Sequence, residues 1–219
     1  MAAQRNQSLI AREGLPYCAL ALIISLAFFF TVGPLWSIPF WLVLAMFCYL
    51  FRDPVRDIPA DPLAVVCPAD GIVSGIENAH DYFLDRQAIR ICINMNKTGA
   101  YTTRSPVEGK VIDRWFPTVE TSGQHDIPHH GKCTDIRFAQ WVKTDEDDDV
   151  ILCMSGGSSI IRPSCYVQSG ERIGQGHRCG FIPFGATINV VVPENTRIEV
   201  TAGQKVAAGS DVIAHFIHD

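Results

Sequence analysis

The sequence predicts an all-β body with an internal pseudo-twofold repeat, preceded by an α-helical membrane hairpin. Three observations point there. Within a chain of 219 residues that is 47% apolar and 19% charged, the 38 residues from Gly14 to Phe51 include no Asp, Glu, Lys or Arg. From Arg52 onward the texture changes to short β-type runs punctuated by Gly, Pro and Asp. Two pairs of glycine frames recur within that second part. The expected division is therefore an anchor over residues 1–51 and a β domain over residues 52–219. A net charge of −5 argues against nucleic acid as a partner. The apolar content excludes intrinsic disorder.

The anchor comes first. Tyr17–Val32 and Ile38–Phe51 are apolar runs of 16 and 14 residues, separated by Gly33-Pro34-Leu35-Trp36-Ser37. A full crossing takes roughly 20 residues. Gly33 and Pro34 cannot continue a regular helix, so the chain turns there. The result is a tight hairpin that either crosses twice with thinned ends or dips in from one face. Trp36, Trp41 and Tyr49 suit interface positions. Arg5 and Arg12 flank the first run, and Arg52 and Arg56 flank the second. The positive-inside tendency then puts both ends, and the β domain, on the cytoplasmic side of the cell membrane. A cleaved signal peptide is disfavoured, because a second apolar run, not a small-x-small site, follows the first.

In the body, the expected strands are Ala64–Val66, Gly71–Ile76, Ile89–Met95, Lys110–Trp115, Asp135–Lys143, Val150–Met154, Thr187–Val192 and Arg197–Thr201. His80–Ala88 is expected to form a turn of helix. Pro68-Ala-Asp-Gly71-Ile-Val73 and Pro106-Val-Glu-Gly109-Lys-Val111 share one frame. Gly170-Glu-Arg-Ile173-Gly-Gln-Gly176 and Gly203-Gln-Lys-Val206-Ala-Ala-Gly209 share another. Glycines at fixed offsets supply the positive-φ corners at strand junctions. Such frames resemble the barrel-sandwich folds of biotinyl and lipoyl carriers. A carrier presents a lysine beside methionine, and Asn94-Met-Asn-Lys97 lacks the spacing.

Spacing alone declares no activity. The eight cysteines include no C-x-x-C pair and fit reduced, buried thiols. His125, His129 and His130 cluster with Cys133 in a Pro-broken loop but make no tetrahedral set, so no metal is expected. Asp145-Glu-Asp-Asp-Asp149 reads as a solvated hairpin tip. Ser158 and Ser159 lack the Gly-x-Ser-x-Gly frame of a hydrolase.

Four segments in register carry a resemblance: Cys67-Pro-Ala-Asp-Gly-Ile-Val73, Arg104-Ser-Pro-Val-Glu-Gly-Lys-Val111, Cys165-Tyr-Val-Gln-Ser-Gly-Glu-Arg-Ile-Gly-Gln-Gly176 and Gly180-Phe-Ile-Pro-Phe-Gly185-Ala186-Thr187. Together, from about Phe51 to Ile213, they are similar to the phosphatidylserine decarboxylase family, short bacterial and archaeal type. The resemblance implies work at the cytoplasmic membrane face, turning phosphatidylserine or a related lipid into its ethanolamine form. It implies no external cofactor. The family makes its own electron sink: a serine after glycine attacks the preceding carbonyl, the chain breaks, and a pyruvoyl group is left to form a Schiff base with the substrate.

The match is partial. Asp70 keeps the family aspartate, and Gly185 keeps the residue before the scissile bond. Ala186 stands where the serine belongs, Tyr101 where a histidine belongs, and Gly99 where an acidic residue belongs. Asp70 could also be a plain turn residue, since Asp-Gly is a common β-turn pair. Two readings follow. One is a pseudoenzyme unable to form pyruvoyl, binding an aminophospholipid headgroup, or pairing with a second copy or an active paralogue. The other is a working lipid decarboxylase with a displaced nucleophile.

Overall fold

A computed structural model describes residues 10–96, 100–116, 136–155, 163–182 and 185–218. His125, His129, His130, Cys133, Ser158, Ser159, Lys97 and Gly99 lie outside the described residues. The chain divides into two compact units, Met1–Val55 with Thr98–Tyr101, and Arg56–Lys97 with Thr102–Asp219.

The first unit is a helical hairpin. A 3-10 turn at Arg12–Gly14 leads into α1, Leu15–Thr31, and α2 spans Pro34–Leu50. The connection is tighter than expected: only Val32 and Gly33 intervene, and Pro34 to Ser37 are helical. Pro34 sits at the first helical position, where its missing N–H costs nothing, while Gly33 takes φ +113° to reverse the chain. Cys18, Ala21, Ser25 and Ser37 are the buried helical residues, whereas Leu20, Ile23, Phe30, Trp36 and Leu42 face outward. Small residues inside and large apolar ones outside invert the pattern of a water-soluble hairpin, and suit helices packed within lipid. Phe28 stacks on Phe40 at 4.1 Å near the tip, and Tyr17 on Phe51 at 5.7 Å at the base. There the Ala11 N–H donates to the Phe51 carbonyl at 2.8 Å. By length and composition Arg12–Thr31 could cross a membrane; Pro34–Leu50 is shorter.

The second unit is built of strands: β1 Ala64–Val66, β2 Gly71–Asp81, β3 Arg86–Met95, β4 Thr102–Arg104, β5 Gly109–Trp115, β6 Ile136–Lys143 and β7 Asp149–Ser155. Then come β8 Ser164–Cys165, β9 Arg172–Ile173, β10 Arg178–Phe181, β11 Thr187–Pro193, β12 Thr196–Ile198, β13 Lys205–Val206 and β14 Val212–Phe216. An eight-stranded sheet runs β13-β2-β3-β11-β7-β6-β5-β9, beside three-stranded sheets β1-β14-β12 and β4-β10-β8. The fold is all-β, as the glycine frames and short runs predict. One expectation fails: His80–Ala88 is not helical but the end of a long β2–β3 ribbon, with His80 opposite Gln87 and Ala79 opposite Ala88. Cross-strand ion pairs, Arg86 to Asp81 and Arg90 to Glu77, stabilise this polar stretch without any apolar period.

The repeated frames form the pseudo-twofold. Gly71 opens β2 and Gly109 opens β5, each so close to the next strand that a Cβ would lie 2.2 Å from a carbonyl oxygen, Asn94 in one case and Lys143 in the other. The second pair of frames docks on the first. Gly203 N–H donates to Val73 O and Gly170 N–H to Val111 O, both at 2.7 Å. Gly170 and Gly203 take φ of +92° and +90°, Gly176 and Gly209 +68° and +72°. Each half thus borrows a corner from a distant segment, which interlocks the two.

Val73, Ile91, Ile93, Phe138, Leu152, Met154, Ile188 and Val190 belong to the main core. A second cluster on the opposite face holds Ala88, Ala139, Ile151, Cys153 and Val191. Burial on both faces explains why β7 and β11 read as continuous apolar runs. The acidic run is a hairpin tip, with Asp147 at φ +70° and its carboxylates paired to Lys143, Arg172 and His218. No disulfide joins the seven described cysteines.

Candidate functional site

The site positions in the β body gather around the end of β3. Asp70 lies in the bend ahead of β2, and its carbonyl accepts the Asn96 N–H at 3.0 Å. On the other edge of the same strand, Ala186 lies just ahead of β11, and its carbonyl accepts the Met95 N–H at 2.9 Å. Consecutive residues of one strand therefore hold the two positions, one from each side. At the usual strand spacing their backbones are about 10 Å apart.

Gly185 takes φ +80°, a conformation that side chains disfavour, and so turns the chain into β11. The methyl of Ala186 packs against the main core. Thr187, one residue on, points to the opposite face by strand alternation, where its Oγ1 donates to Asn94 Oδ1 at 2.9 Å. The hydroxyl at this corner is thus committed to the neighbouring strand.

Both Asp70 carboxylate oxygens are engaged. Oδ1 accepts the Ala208 N–H at 2.8 Å, and Oδ2 accepts Arg56 Nη2 at 2.5 Å. Spacing gave no sign of Arg56 as a partner, since it precedes Asp70 by 14 residues. The aspartate clamps three segments: the β2 bend, the β13–β14 corner and the chain at Arg56. Tyr101 belongs to the first unit. It is 2% exposed and meets Phe51 edge-on at 6.4 Å. Burial pushes its phenol above the ordinary tyrosine range. At neutral pH it is a protonated donor, not a base. Among the described residues, no three His, Cys, Asp or Glu side chains form a metal-ligand set.

A pyruvoyl group formed at residue 186 would require an Oγ or Sγ there, and the alanine methyl supplies neither. The residues around it nevertheless match a known family. The sequence profile of phosphatidylserine decarboxylase matches residues 43–214. The phosphatidylserine decarboxylase proenzyme of Nitrosomonas europaea is 37% identical over 209 residues, 95% of each chain. Those of Aromatoleum aromaticum and Burkholderia multivorans are 36% and 37% identical over 208 and 207 residues, each match covering 94% of this chain and 95% of the relative. Among solved structures, the glucose permease IIA of Mycoplasma capricolum aligns with 69% of this chain and 94% of its own, at a TM-score of 0.43 and 15% identity. Matched over most of its length by the profile and by full-length relatives, the chain belongs to the phosphatidylserine decarboxylase family.

Proposed function

We propose that this chain is a membrane-anchored member of phospholipid metabolism that binds an aminophospholipid headgroup and does not convert itself to a pyruvoyl form. The observation that carries the reading is the Gly185–Ala186 corner. The glycine keeps its positive φ and the Ala186 carbonyl its strand hydrogen bond, but the side chain has no atom able to attack. Asp70 and Tyr101 agree with it. The aspartate's oxygens serve Arg56 and the Ala208 N–H, and the phenol remains protonated. In this reading Asp70, Gly185 and Ala186 shape the binding site without turning over substrate. Residues 1–51 anchor residues 52–219 at the cytoplasmic face of the cell membrane. A second copy of the chain, or an active relative, is the expected protein partner.

The competing reading, an active decarboxylase producing the ethanolamine lipid, has to place its nucleophile elsewhere. The hydroxyl one residue on, Thr187, faces away from Ala186 and is bonded to Asn94. A denaturing gel of the purified natural chain tests the choice. One band near 24.2 kDa and no carbonyl reactive with hydroxylamine are expected. Two bands from the unaltered chain would establish the active reading instead.

A further inference from the structure

The β body contains a second polar cluster, away from the β3 end. Arg114 on β5 and Gln140 on β6 stand directly opposite each other in register, so their side chains share one face of the sheet. That face is the interior: Gln140 lies between Phe138 and Val142, both in the main core, and is itself 1% exposed. The Arg114 guanidinium donates through Nη1 to the Val167 carbonyl at 2.8 Å. The Cys165 thiol donates to the same carbonyl at 3.3 Å and approaches Gln140 Oε1 at 3.8 Å. These contacts draw the four residues into one cluster.

Its donors outnumber its acceptors. Arg114 Nε and Gln140 Nε2 are both buried, and among the described residues neither has a hydrogen-bond partner. No carboxylate among the described residues pairs with Arg114. The nearby Asp113 Oδ1 accepts Arg114's own backbone N–H at 2.7 Å. With no counter-charge for the half-buried guanidinium and no acceptor for the buried amide N–H among the described residues, the cluster costs free energy unless a group with spare lone pairs and negative charge completes it. The guanidinium sits 5.7 Å from the Phe116 ring, which in turn lies 4.9 Å from Phe138 of the main core.

We propose that Arg114 and Gln140 form an oxyanion-binding site inside the β body, in which one carboxylate or phosphate oxygen accepts from both Nε of Arg114 and Nε2 of Gln140. Two sources carry this chemistry, a phosphoserine headgroup and a free anion. The site depends on no reading of residue 186, so its failure and that of the proposed function are separable: one is read by anion binding, the other by chain cleavage.

The test titrates the full chain in a neutral detergent at low ionic strength with inorganic phosphate, glycerophosphoserine and chloride, followed calorimetrically. Saturable binding of phosphate, glycerophosphoserine or both is expected, with chloride inert. Gln140→Leu and Arg114→Lys should each weaken it about tenfold or more, the loss of one hydrogen bond to a charged group. Arg172→Lys, on β9 beside the acidic hairpin, should leave it unchanged. Equal binding of both probes assigns the site to a free anion; binding of glycerophosphoserine alone assigns it to the headgroup. Gln140→Glu, which replaces the donor by a carboxylate of the same shape, should abolish binding. If the variants fail to fold, the Gln140 side-chain amide resonance of the natural chain must still shift on saturation. No saturable binding, binding that survives both substitutions (an adventitious ion only), or an unmoved Gln140 amide would overturn the site and leave a buried water as the missing partner.

Discussion

Removing the Asp70 carboxylate should destabilise this protein, a result opposite to that expected at a site kept for chemistry. In Asp70→Ala the Ala208 N–H loses its acceptor, and Ala208 is 2% exposed. Leaving a buried donor unsatisfied costs about 1–3 kcal/mol. The Arg56–Asp70 pair has side chains 20% and 16% exposed, so solvent screens it in part. Its loss falls between the roughly 0–1 kcal/mol of exposed pairs and the 3–5 of buried ones, at about 1–2 kcal/mol. The sum, about 2–5 kcal/mol, corresponds to a drop in melting temperature of roughly 5–20 °C for a domain of this size. Asp70→Asn keeps an oxygen for the Ala208 N–H and should lose less than half as much. Thermal unfolding of the full chain in detergent, read by tryptophan fluorescence, measures the series. Arg56→Gln combined with Asp70→Asn should be non-additive by about 1 kcal/mol. Residues held in place for catalysis commonly cost stability, and their removal raises it. An Asp70→Ala variant that melts at or above the natural temperature would refute the clamp described above.

Four further outcomes are expected. Ala186→Ser alone should give little cleavage, since general acid–base assistance is worth roughly 10²–10⁴-fold; adding Tyr101→His and Gly99→Asp should recover a fragment of residues 186–219 on a gel. Tags at either terminus should be protease-accessible only from the cytoplasmic side of sealed vesicles, and access from the outer face would overturn the topology. Gly14→Ala should open the hairpin base, because the new Cβ would lie 2.3 Å from Phe51 Cβ, and chymotrypsin should then cut after Phe51 faster. Burial pushes the Cys67 and Cys179 thiols from 9.0 up to about 12. The folded chain therefore keeps protons that the unfolded one releases. Stability is complete below pH 9 and is lost as pH rises toward 12, by up to ~4 kcal/mol per thiol; falling urea midpoints over that range and inert thiols in the native state at pH 8 are the checks.

What the sequence revealed of this fold follows from where its information is local. Ala64–Val66 is legible as a strand because it lies in a short apolar run, Leu63 to Cys67, bounded by Pro62 and Pro68. The glycine frames are legible because Gly71 and Gly109 each face a backbone carbonyl with no room for a Cβ. The β2–β3 ribbon beyond Ile76 was hidden, since its stabilisation comes from cross-strand charge pairs and its sequence carries no period. Strands of two residues, β8, β9 and β13, leave no pattern at all. At the candidate site the motifs named Asp70 and Ala186, but not that β3 lies between them. They gave no hint of Arg56 or Ala208, because those contacts depend on long-range register.

At the Gly185 corner, self-cleavage before residue 186 would make two separate demands, one on the backbone and one on the side chain. The backbone requirement is a positive φ followed by a carbonyl that accepts the Met95 N–H, and it is fully met here. The chemical requirement is one heteroatom on the next Cβ, and it is absent. Strand pairing does not use that atom, and the site is partly buried against apolar neighbours, so an alanine there satisfies the fold at least as well as a serine would. Loss of the hydroxyl leaves β11, its neighbours and the interlocked corners undisturbed. On the proposed reading, this is how a chain can match phosphatidylserine decarboxylase proenzymes over 95% of its length without the side-chain atom that self-cleavage before residue 186 would need. The same separation gives the Ala186→Ser series its force. The variant asks nothing new of the backbone, so any shortfall in cleavage measures only the groups that should assist the hydroxyl.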